Sequence, residues 1–377
     1  MTPIYLDHAA TAPLDPYVHE AMMPYLTSRY GNASSLHAAG RMARHAVEEA
    51  RLRIAHACRV PAESVIFTSG GTEADNMAVI GVASMRPGPV VSSPTEHEAV
   101  LRPLSRMAET GRPVHWLSVR PDASVQTESV ASFVNPSIAL VTVMHVNNET
   151  GAVNDTQAIG AVCRHAGVPF HTDAVQSTAW FSVAPDDLGA DLVTLSAHKI
   201  GGPKGVGALI VRPGIALSPL ILGGNQERRR RGGTENVAAI VGFGAAIESS
   251  RSRREADALR VAALRDDLRS RLESEAGSSA RWITPDRAAP HLLYGFVGDA
   301  AQRTVDAEML LLRLDLEGVQ ASSGSACTSG TLEAGHIPRA IGASGAPLRL
   351  SLGRETTQRE IERASGIIAR VIAAVSV

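Results

Sequence analysis

Between about residue 60 and residue 212 the chain alternates short apolar runs with amphipathic stretches, and this rhythm limits the possible folds more than any other feature. The apolar runs are SVIFTS (64–69), PVVSS (89–93), IALVTVM (138–144), VPFHTD (168–173), ADLVTLS (190–196) and GVGALIV (205–211). Helical stretches such as TEADNMAVIGVA (72–83) and QAIGAVCRHAG (157–167) lie between them. Strand-length apolar runs bounded by Gly and Asp, alternating with helices, predict an α/β domain with a largely parallel sheet covered on both faces. Residues 39–57 predict a further amphipathic helix. After Gly233 the texture changes, and residues 235–277 have helical spacing with charges on one face, as one long helix or two. Beyond them RWITP, HLLYGFV and LRLSLG mix with the helical AEMLLLRLDLEG and TQREIERASGIIARVIAAV, which predicts a smaller α+β unit. No internal repeat or low-complexity linker interrupts the pattern.

Composition excludes several classes. With 44% hydrophobic and 20% charged residues, a disordered chain is excluded, and 377 residues allow two or three domains. A net charge of −2 gives no global positive field, so neither direct nucleic-acid binding nor attachment to an anionic membrane is expected. No stretch approaches the ~20 apolar residues of a membrane helix. The opening MTPIYLDHAAT lacks the basic start and apolar core of a signal peptide. With only Cys58, Cys163 and Cys327, a reducing, cytoplasmic location is expected rather than a disulfide framework. The Cys and His residues lack the paired spacing of metal ligands, so no metal site is expected.

Lysine usage points to chemistry. Of 36 basic residues only Lys199 and Lys204 are lysines; the rest are Arg. Arg replaces Lys on a surface, but not where a deprotonatable amine is needed. Both lysines fall in SAHKIGGPKG, just past the run ADLVTLS. In an open α/β sheet ligands bind beyond the carboxyl ends of the strands, and a Lys there is placed to form a Schiff base with a carbonyl cofactor. Ser196 and His198 before it are candidate phosphate donors. Asp173, ending another strand in HTDAVQ (171–176), is either a partner for a protonated ring nitrogen or a plain helix cap. FTSGGTEADN (67–76) reads as strand, glycine turn and helix start, where Gly71, Thr72 and free N–H groups form a phosphate cup. His97 in EHEAV is placed to stack on a ring or to cap a helix. MHVNNETG (144–151) is a polar strand end or a turn. SSGSACTSG (322–330) holds Cys327 in what reads as an exposed, mobile loop, where a retained thiol suggests a nucleophile. Cys58 and Cys163, in amphipathic helices, read as core residues. Arg349 in LRLSLG is a candidate clamp for a substrate carboxylate.

In order along the chain, YLDHAAT (5–11), GNASSLH (31–37), FTSGGTEADN, EHEAV, HVNNETG (145–151), HTDAVQ, SAHKIGGPKGVGAL (196–209), RGGTEN (231–236), SSGSACTSG and LRLSLGRETT (348–357) resemble the NifS/IscS-like cysteine desulfurases of the class V aminotransferase group. The resemblance runs nearly end to end. It implies the pyridoxal phosphate transferase fold type I, a large domain with a mostly parallel seven-stranded sheet and a smaller α+β domain. The expected division is residues 15–250 against residues 1–14 with 251–377, the smaller unit carrying the cysteine loop. The implied activity converts L-cysteine to L-alanine and leaves a persulfide on Cys327. Selenocysteine lyase, or another pyridoxal phosphate lyase of this fold, is the alternative.

The resemblance also implies roles. Lys199 holds pyridoxal 5'-phosphate and later moves protons. Asp173 pairs with the pyridine nitrogen, His97 stacks on the ring, and Asn148 and Gln176 lie on its oxygen side. Gly71, Thr72, Ser196 and His198 hold the phosphate, with Thr234 reaching in from the second subunit of a homodimer. Arg349, helped by Asn32, binds the carboxylate of cysteine. A sulfur-acceptor protein is implied, serving iron–sulfur assembly, tRNA thiolation or DNA phosphorothioation. Three departures from the family pattern point to a specialised donor. Asn225 stands where the family has a third Gly, Arg228–Arg231 is an unbroken basic run, and Arg349 follows Cys327 by only 22 positions. The chain also ends soon after its last helix, without the tail of the housekeeping members. The basic run suits an acidic partner, or is a solvated loop beside the dimer interface.

Overall fold

The computed structural model describes residues 2–298, 305–324 and 335–375. A short strand, β1 (Ile4–Tyr5), is followed by helices α1 (Pro16–Leu26) and α2 (Ala38–Cys58). The alternating region then runs β2 (Val65–Thr68), α3 (Gly71–Met85), β3 (Val90–Ser92), α4 (Glu98–Glu109), β4 (Val114–Trp116), α5 (Thr127–Phe133) and β5 (Leu140–Thr142). It continues with α6 (Thr156–His165), β6 (Phe170–Asp173), α7 (Pro185–Leu188), β7 (Leu192–Ser196) and β8 (Gly207–Val211). Strands β2 to β8 form one seven-stranded sheet in the order β2-β8-β7-β6-β5-β3-β4. Only β8 runs against its neighbours; the pairs from β7 to β4 are all parallel.

The apolar runs work as strands because consecutive residues serve opposite faces. Val91, Val141, Val193 and Ile210 join one hydrophobic cluster, with Val47 and Ile54 of α2. Their neighbours Val90, Leu140, Leu192 and Leu209 join another, with Met77 of α3 and Leu104 of α4. A strand covered on both sides needs apolar residues throughout, hence the unbroken runs. Strand β4 was not anticipated. It lies at the sheet edge, its Trp116 is exposed, and it carries no such run. Cys58 and Cys163 are buried, as expected of core thiols.

The segment after Gly233 forms a single helix, α8 (Val237–Ala276), of 40 residues. Its first half gives Ile240, Phe243 and Ile247 to the large-sheet core. Its second half gives Val261, Leu264, Leu268 and Leu272 to a separate cluster. That cluster is built on β9 (Ala280–Trp282), β10 (Leu292–Val297), α9 (Ala307–Leu316), β11 (Val319–Gln320), β12 (Ala346–Ser351) and α11 (Gln358–Val375), with α10 (His336–Ile341) preceding β12. Here β12-β10-β9 is an antiparallel sheet, while β1 pairs in parallel with β11. Ile4 and Leu6 from the chain start pack into the same cluster. The parallel strands thus direct the loops after β3, β5, β6 and β7 to one edge, facing the start of the chain and β12.

Candidate active site

These loops enclose a cavity of about 300 Å³. Ten of the residues singled out above line it: Gly71, Thr72, His97, Asn148, Asp173, Gln176, Ser196, His198, Lys199 and Arg349. Three do not. Cys327 lies outside the described residues. Asn32 is exposed before α2, its Oδ1 accepting from the Ser34 N–H at 2.8 Å. Thr234 is exposed in the loop leading to α8 and is absent from the cavity wall.

Lys199 sits one tight turn past β7. Its Nζ donates to the carbonyls of Ala9 at 2.5 Å and Ala10 at 2.7 Å. Burial, and then the Arg349 charge, lower its pKa to about 8, bringing the free amine within reach near neutrality. Asp173, the last residue of β6, accepts from the Val175 N–H at 2.8 Å. Burial raises its pKa, and His97 and Lys199 oppose that rise. His97 caps α4, its Nδ1 accepting from the Ala99 N–H at 3.1 Å, so the ring proton is on Nε2. Burial lowers the pKa of His97, which favours the neutral ring.

Helix α3 begins at Gly71 with no side-chain cap on its first turn, leaving N–H donors free beside Ser196 and His198. A Cβ on Gly71 would lie 3.0 Å from Val175 Cγ2, so glycine keeps the turn tight. Glu73 in the same turn would repel a phosphate, but Arg231 binds its carboxylate through two bonds of 2.9 and 3.1 Å. The donor set is that of a phosphorylated aldehyde cofactor: an amine, a buried carboxylate and an anion cup on one cavity.

Gln176 is committed at both ends. Its Nε2 donates to Ala9 O at 2.9 Å and its Oε1 accepts from His291 Nε2 at 3.2 Å. Arg349, 3% exposed, donates from Nη1 to Asn148 O at 2.8 Å and from Nη2 to Asp7 Oδ1 at 2.9 Å. Its Nε is buried without a partner.

Three acidic residues of the site were inside quoted motifs but not singled out. Asp75 lines the cavity, Glu96 lies buried nearby, and burial raises both carboxyls well above the usual range. Glu149 also lines the cavity, and burial pushes it up to about 7. Tyr294 Oη donates to its Oε2 at 3.3 Å. Gly324, at φ +110°, packs so closely that a Cβ there would lie 2.5 Å from Glu149 Oε2. Only glycine suits that position. The basic run lies outside the cavity. Arg229 donates to Asn225 Oδ1 at 3.0 Å, Arg230 to Glu63 O at 3.2 Å, and Arg228 is exposed.

Comparison with known proteins places this geometry. The family model for aminotransferase class-V matches residues 4–364. Cysteine desulfurase IscS of Dictyoglomus turgidum is 39% identical, over 98% of this chain and 94% of its own. A solved NifS-like protein superposes with a TM-score of 0.90 at 29% identity, over 99% of this chain and 100% of that one. SspA, solved in complex with cysteine, superposes with a TM-score of 0.81 at 30% identity, over 94% of this chain and 99% of that one.

Proposed function

Because this chain belongs to the class V aminotransferase family and is a cysteine desulfurase, a pyridoxal phosphate enzyme, we propose that the cavity around Lys199 performs the desulfuration with its own residues in the following roles. Pyridoxal phosphate, when bound, supplies the electron sink that loosens the Cα proton of cysteine and its Cβ–S bond. Lys199 holds the cofactor and Asp173 pairs with its ring nitrogen. His97, neutral and proton-bearing at Nε2, covers the ring. Asn148 and Gln176 face its oxygen side. Gly71, Thr72, Ser196 and His198 hold the phosphate. Arg349 anchors the substrate carboxylate, with Asn32 assisting.

Lys199 Nζ takes the Cα proton and returns a proton to the carbon skeleton after sulfur has left. Its lowered pKa suits both transfers. The Cys327 thiolate attacks the substrate sulfur as the Cβ–S bond breaks, leaving alanine and a persulfide on Cys327. The reading further takes the chain as a cytoplasmic homodimer, with Thr234 completing the partner subunit's phosphate site. Its exposure and its absence from the cavity wall of its own chain support this. We also read the break in core packing along α8 as the boundary between a large domain (15–250) and a small one (1–14 with 251–377). The persulfide sulfur passes to an acceptor protein.

The observation that carries the reading is the convergence of Lys199, Asp173, His97 and Arg349 on one cavity. The test is alanine released from L-cysteine, with a reductant, by the native protein and by Cys327→Ala. Release by the native protein alone supports the scheme. Release by both assigns sulfur removal to a lyase route without Cys327. Release by neither, with the cofactor bound, overturns cysteine as sole requirement for turnover.

A further inference from the structure

His291 stands just before β10, in the smaller sheet, yet its ring reaches the loop after β6 that carries Gln176. It is 2% exposed and does not itself line the cavity around Lys199. The loop after β6 holds the ring at two places. Trp180 stacks on its face, with ring centroids 5.0 Å apart and planes 22° from parallel. Gln176 Oε1 meets its edge at Nε2, 3.2 Å away. The backbone of His291 is fixed as well, its carbonyl accepting from the Leu352 N–H at 2.9 Å.

These partners decide where the ring proton sits. Ala9 O can only accept, so the Gln176 atom 2.9 Å from it is the donor Nε2. The amide therefore turns its acceptor, Oε1, toward His291. The imidazole must donate there, which puts its proton on Nε2 and leaves Nδ1 bare. Nδ1 is buried with no partner, in keeping with a nitrogen that carries no hydrogen. Burial, and then the charge of Arg349, push the ring well below the usual histidine range, and Arg265 and Lys199 act the same way, so it stays neutral. A flipped amide would set Oε1 against Ala9 O, oxygen to oxygen. It would also need the other tautomer, with a buried Nδ1–H that has no acceptor. Each fault leaves a buried polar group unsatisfied. One arrangement is thus selected. In it Ala9 O takes one of the two hydrogens on Gln176 Nε2, and the second is the donor that the amide can offer the cavity.

We propose that His291 is a positioning residue, whose Nε2–H locks the Gln176 amide with its spare N–H toward the ring oxygen of the bound cofactor. This rests on the reading that Gln176 faces that oxygen. A donor there stabilises negative charge on the oxygen, so its loss should move the pH at which the bound cofactor changes colour. The experiment is a pH titration of the visible band of the holoenzyme without substrate. Gln176→Leu should shift the midpoint upward by about one unit. His291→Phe keeps a ring against Trp180 but cannot donate. It should shift the midpoint the same way, by at least about half as much, and add nothing in the double variant with Gln176→Leu. His291→Gln restores an N–H donor and should return most of the way to the wild type. A wild-type midpoint in His291→Phe, with Gln176→Leu shifted, would overturn the proposal and leave His291 as packing only. No shift in Gln176→Leu would overturn the placement of Gln176, and the proposal with it. Should His291→Phe not fold, nitrogen-15 NMR of the histidine-labelled wild type decides, with His291→Gln identifying the signal. A neutral ring protonated at Nε2 supports the proposal; one protonated at Nδ1 overturns it.

Discussion

Replacing Glu227 by Gln should destabilise the protein by about 3 kcal/mol while leaving the cavity around Lys199 intact. Arg51 and Glu227 face each other with both side chains only 2% exposed. Two bonds join them, Nη1 to Oε2 at 2.8 Å and Nη2 to Oε1 at 2.7 Å. The Phe67 N–H of β2 adds a third bond to Oε2 at 2.9 Å. Removing one charge of a buried pair leaves the other uncompensated, at a cost of about 3–5 kcal/mol. Glu48, 40% exposed and 3.1 Å from Arg51 Nε, offers a substitute, and the Gln oxygen keeps one acceptor, so the low end applies. The loop should loosen before the fold does. Glu227, Arg228 and Arg229 lie at φ 46°, 55° and 65°, three successive non-glycine residues in the left-handed region. Each stores about 1 kcal/mol, and the clamp on Glu227 holds them there. Urea unfolding followed by circular dichroism gives the global cost. Hydrogen exchange over residues 222–236 gives the local one, with exchange rising in Glu227→Gln before any change near Lys199. A double variant with Arg51→Met should cost at least about 1 kcal/mol less than the sum of the singles. A single-variant cost under about 0.5 kcal/mol, or a cycle additive to within that amount, would refute the reasoning.

Arg349→Lys should raise KM for L-cysteine about 10-fold or more with a smaller change in kcat, because Lys cannot supply the planar fork; an unchanged KM would move carboxylate binding elsewhere. Asp173→Asn should retain the yellow cofactor yet lose at least about 100-fold in kcat, as an amide cannot hold the ring nitrogen protonated; kcat within a few-fold of native would remove Asp173 from that role. Glu149→Gln should change the pH dependence of stability. Burial raises this carboxyl from 4.5 to about 7, so the folded protein binds its proton more tightly than the unfolded chain does. That contribution is fully present below pH 4.5 and is lost as pH rises toward 7, roughly 3 kcal/mol in all. Glu149→Gln lacks it, so the variant should gain on the wild type between pH 5 and pH 8 in urea midpoint; parallel curves would contradict the burial argument.

The strands of the large sheet were legible because burial on both faces forces an unbroken apolar run, as in Leu192–Ser196. The edge strand Val114–Trp116 was not, since an edge relaxes that demand. Whether residues 235–277 made one helix or two was open in sequence, because their two halves pack into different cores and share no continuous apolar stripe. Lys199 was legible from the rarity of lysine, and Asp173 from its place at a strand end. Glu149 and Asp75 were not, because an acidic residue in a polar motif reads as solvent-facing. Their burial arises only when loops from separate strands close over one cavity.

Positive charge shows the same gap between sequence and space. The run Arg228–Arg231 is the most conspicuous basic feature of the chain and invites an acidic partner. In the fold three of its four members are engaged at home. Arg231 neutralises Glu73 in the first turn of α3, Arg230 binds Glu63 O, and Arg229 binds Asn225. Asn225 and the neighbouring arginines, two of the departures from the family pattern, thus explain each other in part: the Asn side chain gives Arg229 an acceptor that glycine lacks. Only Arg228 projects without such a bond, too little for an electrostatic docking surface by itself. The arginine donors that are buried without a hydrogen-bond partner lie elsewhere, on Arg254, Arg269, Arg349 and Arg354, each isolated in sequence from that run.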